Sequence, residues 1–300
     1  MSTDPVLWVN GRLAPASEAR VDPRDRGFTL GDGLFETMRV VAGTVPWLRQ
    51  HLARLQIGVA AIDLTIPWTG TELGQAVVQT VDANGLRDGA VRLTVSRGVP
   101  TQRGLLPESE PTPSLVIHAQ PFSGYPAALY ARGMRVITSG VVRNEHSPLA
   151  QVKTLSALDN VLARHEAATR GADEAIMRNS TGCLACASAA NLFLVIGEML
   201  VTPSAASGVI LGTARQRVLS QLAPQFGLAV AERTVIPDEL TAANEAFLTS
   251  SLLGVMPLTM VDGHSVGEGV PGPLTMAFGT AMVESWSNQP AGLSRERAGV

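Results

Sequence analysis

Of the 23 basic residues in the chain, 22 are arginine and one is lysine, Lys153 in QVKTLSALDN. A compositional bias toward arginine accounts for the 22, but not for the position that escaped it. An amine can lose its proton and form a Schiff base with a carbonyl, whereas a guanidinium stays charged. Lys153 is therefore a candidate nucleophile. The only two cysteines, Cys183 and Cys186, stand in C-x-x-C spacing in TGCLACASAANLF. That spacing suits a redox pair, half of a metal site, or two small packed residues. A redox motif normally opens a helix, but the following NLFLVIG reads as a strand. A zinc site needs two further ligands, and none lies nearby in sequence. His51, His118, His146, His165 and His264 are scattered without metal-ligand spacing. Packing is the favoured reading of the cysteines, and no metal is expected.

Two further segments admit two readings each. GVILGTAR places glycines at the start of an expected helix. Backbone N–H groups there would hold a phosphate, or the glycines make an ordinary turn. In HLARL, Arg54 flanks an apolar face. It either aims inward at an anion or snorkels to solvent. His51, on the same expected helix, reads as structural.

Composition narrows the classes of function. Hydrophobic residues make up 45% of 300 and charged residues 16%, as in a soluble protein with a sizeable core. A net charge of −3 offers no basic footprint for nucleic acid. No apolar run approaches the roughly 20 residues of a membrane helix. The N-terminus lacks a signal-peptide pattern, and two cysteines make no disulfide framework. The expected location is the cytoplasm.

The elements that must position these residues read as mixed, segregated α and β. PVLWVNGRLA predicts a strand, a turn at Asn10-Gly11 and a return strand. LFETMRVVAGTVPWL predicts the same form around Gly43. A helix follows, with Leu48, Leu52, Leu55 and Val59 on one face. GAVRLTVSRG and PSLVIHAQPF read as strands joined by a long Pro/Gly-rich loop over 97–113. GMRVITSGVV reads as a strand. LSALDNVLARHEAATRG reads as a helix with an apolar stripe of Leu155, Leu158, Val161 and Leu162, closed by Gly171. DEAIMRN, NLFLVIG and EMLVTP are expected strands, and GTARQRVLSQLAPQFG an expected helix. EAFLTSSLLGVMPLTMVDG predicts two strands around a Ser-rich turn. The boundaries expected are a small N-terminal α/β domain over 1–120, a linker over 121–130, a larger domain over 131–290 and a flexible tail over 291–300.

The motifs DRGFTLGDGLFETMRV, HLARL, KTLSALDN, GADEAIM, AANLFLV, VTP, SGVILGTARQ and AFLTSSLLGVMPLT occur in the order found in the fold-type-IV pyridoxal-phosphate enzymes. Over residues 6–263 the chain resembles that class-IV aminotransferase family, which includes branched-chain and D-amino-acid aminotransferases and 4-amino-4-deoxychorismate lyases. The resemblance implies an α+β, two-domain fold of the D-amino-acid aminotransferase type, with pyridoxal 5'-phosphate between the domains. It also implies a homodimer and a small amino substrate.

By position, the resemblance makes Lys153 the lysine that binds the cofactor as a Schiff base and moves the substrate Cα proton. It gives Arg54 the cofactor phosphate, together with the backbone of Thr213 and Ala214 and the side chains of Ser250 and Ser251. Asn191 matches a structural asparagine. Cys186 falls where the family carries the glutamate that holds a proton on the pyridine nitrogen. A carboxylate there raises the pKa of the ring nitrogen, and the protonated ring is the electron sink. A thiol is mostly neutral near pH 7, so a weaker sink is expected. Arg97 and Arg103, in the loop SRGVPTQRG, are positioned to meet a substrate carboxylate or to be solvated.

FETMR, Leu158 five residues after the lysine, CASAANLF and SLLGVMPLT resemble the lyase branch. The expected reaction is elimination of pyruvate from aminodeoxychorismate, giving 4-aminobenzoate. A transaminase of branched-chain or D-amino acids, or of amines, is the alternative. A cofactor-binding protein of weak or altered activity is the third.

Overall fold

The computed structural model describes residues 4–102, 104–107 and 112–287, which divide into two compact units. The first runs to Ser123 and also contains Val152–Ser156 and Trp286. The second contains Gly124–Gln151 and Ala157–Ser285.

In the first unit, β1 (Val6–Val9) and β2 (Arg12–Pro15) form a hairpin through Asn10 and Gly11, whose φ angles are 45° and 103°. Those positive values are what the Asn-Gly pair supplies. α1 (Arg26–Leu30) leads into β3 (Gly33–Val40). The expected return strand after Gly43 is reduced to a single bridge between Val41 and Thr44. The chain turns instead into α2 (Leu48–Ala61) and α3 (Gly70–Ala83), and β3 pairs with β4 (Gly89–Ser96). With β5 (Ser114–Pro121) the sheet order is β2-β1-β5-β4-β3. β3 alternates strictly: Leu34, Glu36, Met38 and Val40 are buried, and the residues between them are half-buried. Leu34, Met38 and Val40 meet Leu52, Leu55 and Val59 of α2 in one core, so period-2 and period-3.6 patterns join there.

The second unit opens with α4 (Ala127–Arg132) and β6 (Met134–Arg143), and continues with α5 (Leu158–Thr169), β7 (Glu174–Asn179), β8 (Leu184–Ala187), β9 (Asn191–Ile196) and β10 (Met199–Pro203). A helical run follows as α6 (Thr213–Arg217), a π turn over Val218–Leu222 and α7 (Ala223–Gln225). β11 (Ala229–Arg233), α8 (Pro237–Ala242), β12 (Glu245–Ser250), β13 (Gly254–Val261), β14 (His264–Ser265) and α9 (Pro273–Ser287) complete it. The sheet order is β11-β10-β9-β12-β13-β6-β7-β8, with β14 beside β13. β9 is buried on both faces over Asn191–Val195, which explains its continuous apolar run. Phe193 stacks on Phe247 at 5.0 Å, and Phe247 meets Phe278 of α9 at 5.5 Å.

The expected stripe of α5 is corrected. Leu158, Val161 and Leu162 are 67%, 58% and 48% exposed, while Ala163 and Ala167 are fully buried. The helix packs through its small residues with Ile137, Ala175 and Met177, where larger side chains would hold it away from the sheet. Leu155 lies in the Val152–Ser156 segment of the first unit, outside the helix. The expected tail over 291–300 lies outside the described residues.

Candidate active site

Lys153 is held by the backbone of β3. The Phe35 N–H donates to the Lys153 carbonyl at 3.0 Å, and the Leu155 N–H donates to the Gly33 carbonyl at 2.9 Å. Gly33 has to be glycine for this approach. A Cβ there would lie 2.4 Å from the Val95 carbonyl oxygen and 2.9 Å from the Leu155 side chain. The Lys153 Nζ sits 4.0 Å from the Phe35 ring centroid. Burial, with Arg54 and Arg92, pulls its pKa down to about 8 against the opposing charge of Glu36. An amine so tuned has a substantial neutral fraction near neutral pH, as a nucleophile and proton carrier needs.

Between β3 and α2 lies a buried ionic trio. Arg54 donates to Glu36 through Nε at 2.7 Å and Nη2 at 2.6 Å, and His51 Nδ1 lies 2.8 Å from Glu36 Oε2. Their spacing of three puts His51 and Arg54 on one face of α2. Arg54 and His51 hold the Glu36 carboxyl down at about 2 against its burial. Burial lowers the pKa of His51, so it is neutral at pH 7 and gives its Nδ1 proton to the carboxylate. Glu36 was not singled out from sequence. The signal was its place among the inward positions of an alternating strand.

Arg92 was also missed. Its Cζ lies 3.8 Å from the centroid of the same Phe35 ring, which puts it within about 8 Å of the Lys153 amine, a range over which charges interact in partly buried sites. Arg92 is exposed as a residue, and partial desolvation lowers its pKa. Arg97 is corrected. It is buried, and donates to Asp32 Oδ2 at 2.9 Å, the Asp63 carbonyl at 2.9 Å and the Ile62 carbonyl at 2.7 Å. Asp32 also accepts Arg26 Nε at 2.8 Å, and Arg26 holds the carbonyls of Gly104 and Leu105. Arg97 is thus engaged within its own unit and is not presented to a ligand, while Arg26, through the same Asp32, holds the adjoining loop. Arg103 lies outside the described residues.

The second unit brings Thr213 and Ser251 together, next to Ala214 on α6. Gly212 caps α6, which Thr213 opens, and Ala214 is buried. Thr213 Oγ1 and Ser251 Oγ are 3.1 Å apart. Asn191 donates through Nδ2 to the Ile210 carbonyl at 2.9 Å. A Cβ on Gly212 would lie 2.2 Å from Asn191 Oδ1, so the loop before the helix can lie against Asn191 only with glycine there. A helix start directs its N–H groups outward and favours an anion, and two hydroxyls beside it can add hydrogen bonds. Ser250 is otherwise engaged, its Oγ accepting the Leu253 N–H at 3.2 Å.

Both cysteines are free thiols. Among the described residues no group of three or more His, Cys, Asp or Glu could hold a metal. Cys186 is buried on β8 and packs with Ala185 and Val209. Burial pushes its thiol pKa up; Arg143 opposes the shift and Glu174 adds to it. Glu174 is itself buried and engaged, 2.8 Å from Arg164 Nη1 and accepting the Ser188 hydroxyl. Among the described residues no helix is long and apolar enough to cross a membrane.

A family model described as Amino-transferase class IV matches residues 33–261. The D-alanine aminotransferase of Bacillus licheniformis is 32% identical over 287 residues, covering 94% of this chain and 97% of that protein. The fold is similar to that of the T.th. branched-chain amino acid aminotransferase with pyridoxamine 5'-phosphate. Its TM-score is 0.90 at 25% identity, covering 96% of each chain. It is also similar to the 4-amino-4-deoxychorismate lyase of Pseudomonas aeruginosa, with a TM-score of 0.82 at 33% identity, covering 93% of this chain and 98% of that one.

Proposed function

From the premise that this chain belongs to the class-IV aminotransferases, a family of two-domain fold-type-IV enzymes that use pyridoxal phosphate, we propose that it is a lyase of the aminodeoxychorismate type. In this reading it removes the Cα proton of an amino substrate and expels pyruvate, leaving 4-aminobenzoate. Pyridoxal phosphate, when bound, supplies an aldehyde that takes the amino group and a ring that withdraws electrons from Cα. Each unit by itself carries residues whose chemistry suits such a group: in the first a neutralisable amine on Lys153 and the Arg54 cation, in the second the hydroxyl pair of Thr213 and Ser251 and the glycine-permitted helix start at Gly212. Lys153 captures the cofactor and carries the Cα proton. Arg54, Thr213, Ala214, Ser250 and Ser251 are the proposed phosphate-binding set, with Ser250 acting by ordering the turn at Leu253.

Cys186 carries the choice of reaction. A buried thiol with a raised pKa is neutral at pH 7 and cannot hold a proton on the ring nitrogen as a carboxylate does. Transamination would call for a bound cofactor that retains the electron pair from Cα, which a carboxylate at position 186 would support and the neutral thiol would not. Elimination discharges the pair at once through the breaking C–O bond, and here the product ring becomes aromatic. A weak sink therefore penalises transamination more than elimination.

Arg92 is the group proposed to receive a substrate carboxylate. Its side chain makes no hydrogen bond or ion pair among the described residues, and it shares Phe35 with the reactive amine. Arg92→Gln should raise KM about tenfold or more, the effect of losing one charged hydrogen bond, with cofactor loading unchanged.

The second reading is a transaminase of D-amino or branched-chain amino acids, favoured by the 32% identity to a D-alanine aminotransferase. A substrate panel on the cofactor-loaded protein separates the two. Pyruvate and 4-aminobenzoate formed without an added keto acid support the lyase. Turnover of D-alanine or branched-chain amino acids that requires a keto acid, with no elimination, overturns it.

A further inference from the structure

Glu36 has no part in the reaction proposed above, yet it is fully buried with its charge intact. It lies on the core face of β3 between Leu34 and Met38, among the residues that contact α2. A carboxylate in that setting is costly unless paired and hydrogen-bonded. An apolar residue would suit the core better, so the position calls for a role beyond packing.

We propose that Glu36 is a positioning residue for the cofactor phosphate, fixing the plane of the Arg54 guanidinium while His51 fixes Glu36. The inference rests on the pyridoxal-phosphate reading, because the phosphate is the proposed partner of Arg54. Two parallel bonds from Nε and Nη2 set both the direction and the rotation of a guanidinium, which a single contact does not. The third contact, from His51 at 2.8 Å, uses the oxygen that also takes Arg54 Nη2. The carboxylate is thereby tied to α2 at two positions. His51 is neutral, so the Glu36–Arg54 pair carries no net charge in the core. Arg54 is the less buried member, its side chain 17% exposed against 1% for Glu36.

The test compares two cofactor forms on one protein. Holoenzyme is dialysed free of cofactor and reloaded with pyridoxal 5'-phosphate or with pyridoxal, following absorbance. In Glu36→Gln the phosphorylated form should bind about tenfold to a hundredfold more weakly, the scale of a misplaced charged hydrogen-bonding group. Pyridoxal should change by less than about twofold, since it makes no such bond. Glu36→Asp, which keeps the charge on a shorter arm, should restore part of the loss. Equal weakening of both forms, or of neither, overturns the proposal. If Glu36→Gln does not fold, His51→Gln is read by the same criterion: a preferential loss for the phosphorylated form supports the proposal, and an equal one overturns it. Borohydride treatment of the wild type keeps the two levels apart. No adduct on Lys153 overturns the pyridoxal-phosphate reading itself; an adduct with equal losses in the variant overturns only the role of Glu36.

Discussion

The Phe35 N–H holds the Lys153 carbonyl at 3.0 Å, and the Phe35 ring lies 4.0 Å from the Lys153 amine. One residue thus fixes both ends of the reactive lysine, its backbone through a strand-like hydrogen bond and its head through a cation–π contact. The ring excludes water from one side of the amine, which lowers its pKa by desolvation. It also attracts the protonated form, and the Glu36 charge opposes the lowering.

A pH profile follows from this lysine. Its folded pKa of about 8 lies below the ordinary 10.5, so the neutral, nucleophilic fraction grows as pH rises through 8. The rate of cofactor capture by cofactor-free protein should increase about tenfold per pH unit well below 8 and level off above it. Stopped-flow absorbance checks this, and a rate independent of pH between 6 and 9 would contradict it. The stability sign is the same. The fold disfavours the charged amine, so this group's contribution to stability rises between about pH 8 and 10.5.

Glu36 gives the opposite end of the scale. Its folded pKa of about 2 lies below the ordinary 4.5. The carboxylate therefore contributes stability that is fully present above about 4.5 and lost as pH falls toward 2. Melting temperatures of wild type and Glu36→Gln should differ most at pH 5 to 7 and converge on acidification. A gap that stays constant down to pH 2 would mean the shift does not come from this group.

Gly212 tests the second unit. Its φ of −66° is open to any residue, so Gly212→Ala should act through sterics alone, by driving a Cβ to 2.2 Å from Asn191 Oδ1. The expected cost is about 1–3 kcal/mol, with weaker cofactor retention because the start of α6 shifts. Thermal unfolding and cofactor release measure the two effects. Loss of stability with unchanged retention would detach α6 from the cofactor.

Much of this was legible in sequence, and the omissions have physical causes. The lone lysine, the Asn10-Gly11 hairpin, the α2 face and the two strands around the Ser-rich turn are written in local rules, and local rules decide them. α3 was overlooked although Thr69 and Glu72 spell a capping box, and α9 although Phe278, Met282 and Trp286 recur at helical spacing. The α5 stripe misled because size was taken as the mark of the core, whereas only alanine fits where that helix meets the sheet. Glu36 and Arg92 escaped because their meaning is relational. A carboxylate on a core face acquires its role from His51 and Arg54, and an arginine from the ring it shares with Lys153. Arg97 shows the converse, since its loop position suggested a ligand while Asp32 and two carbonyls, distant in sequence, claim it.

The α5 geometry can be tested directly. Ala163→Leu inserts a larger side chain at a fully buried contact and should cost about 1–3 kcal/mol. Leu158→Gln, on the exposed face, should change the stability of the monomeric fold by no more than about 0.5 kcal/mol. Denaturant unfolding at low protein concentration compares them, and the reverse ranking would restore the leucine stripe to the core.

Cys186 bears on the reaction most directly. In Cys186→Glu a carboxylate enters a buried position where burial disfavours charge, with Arg143 favouring it and Glu174 opposed. Its ionisation is favoured if a pyridine nitrogen beside it takes up the proton, because each charge then stabilises the other. The variant should therefore strengthen the absorbance of the protonated cofactor and speed loss of the Cα proton, followed by isotope exchange. Keto-acid-dependent turnover should rise relative to elimination, since the ring can then hold the electron pair long enough for transamination. A folded, cofactor-loaded variant with an unchanged spectrum and exchange rate would show that residue 186 does not face the ring nitrogen. The choice of lyase over transaminase would then lose the observation that carries it.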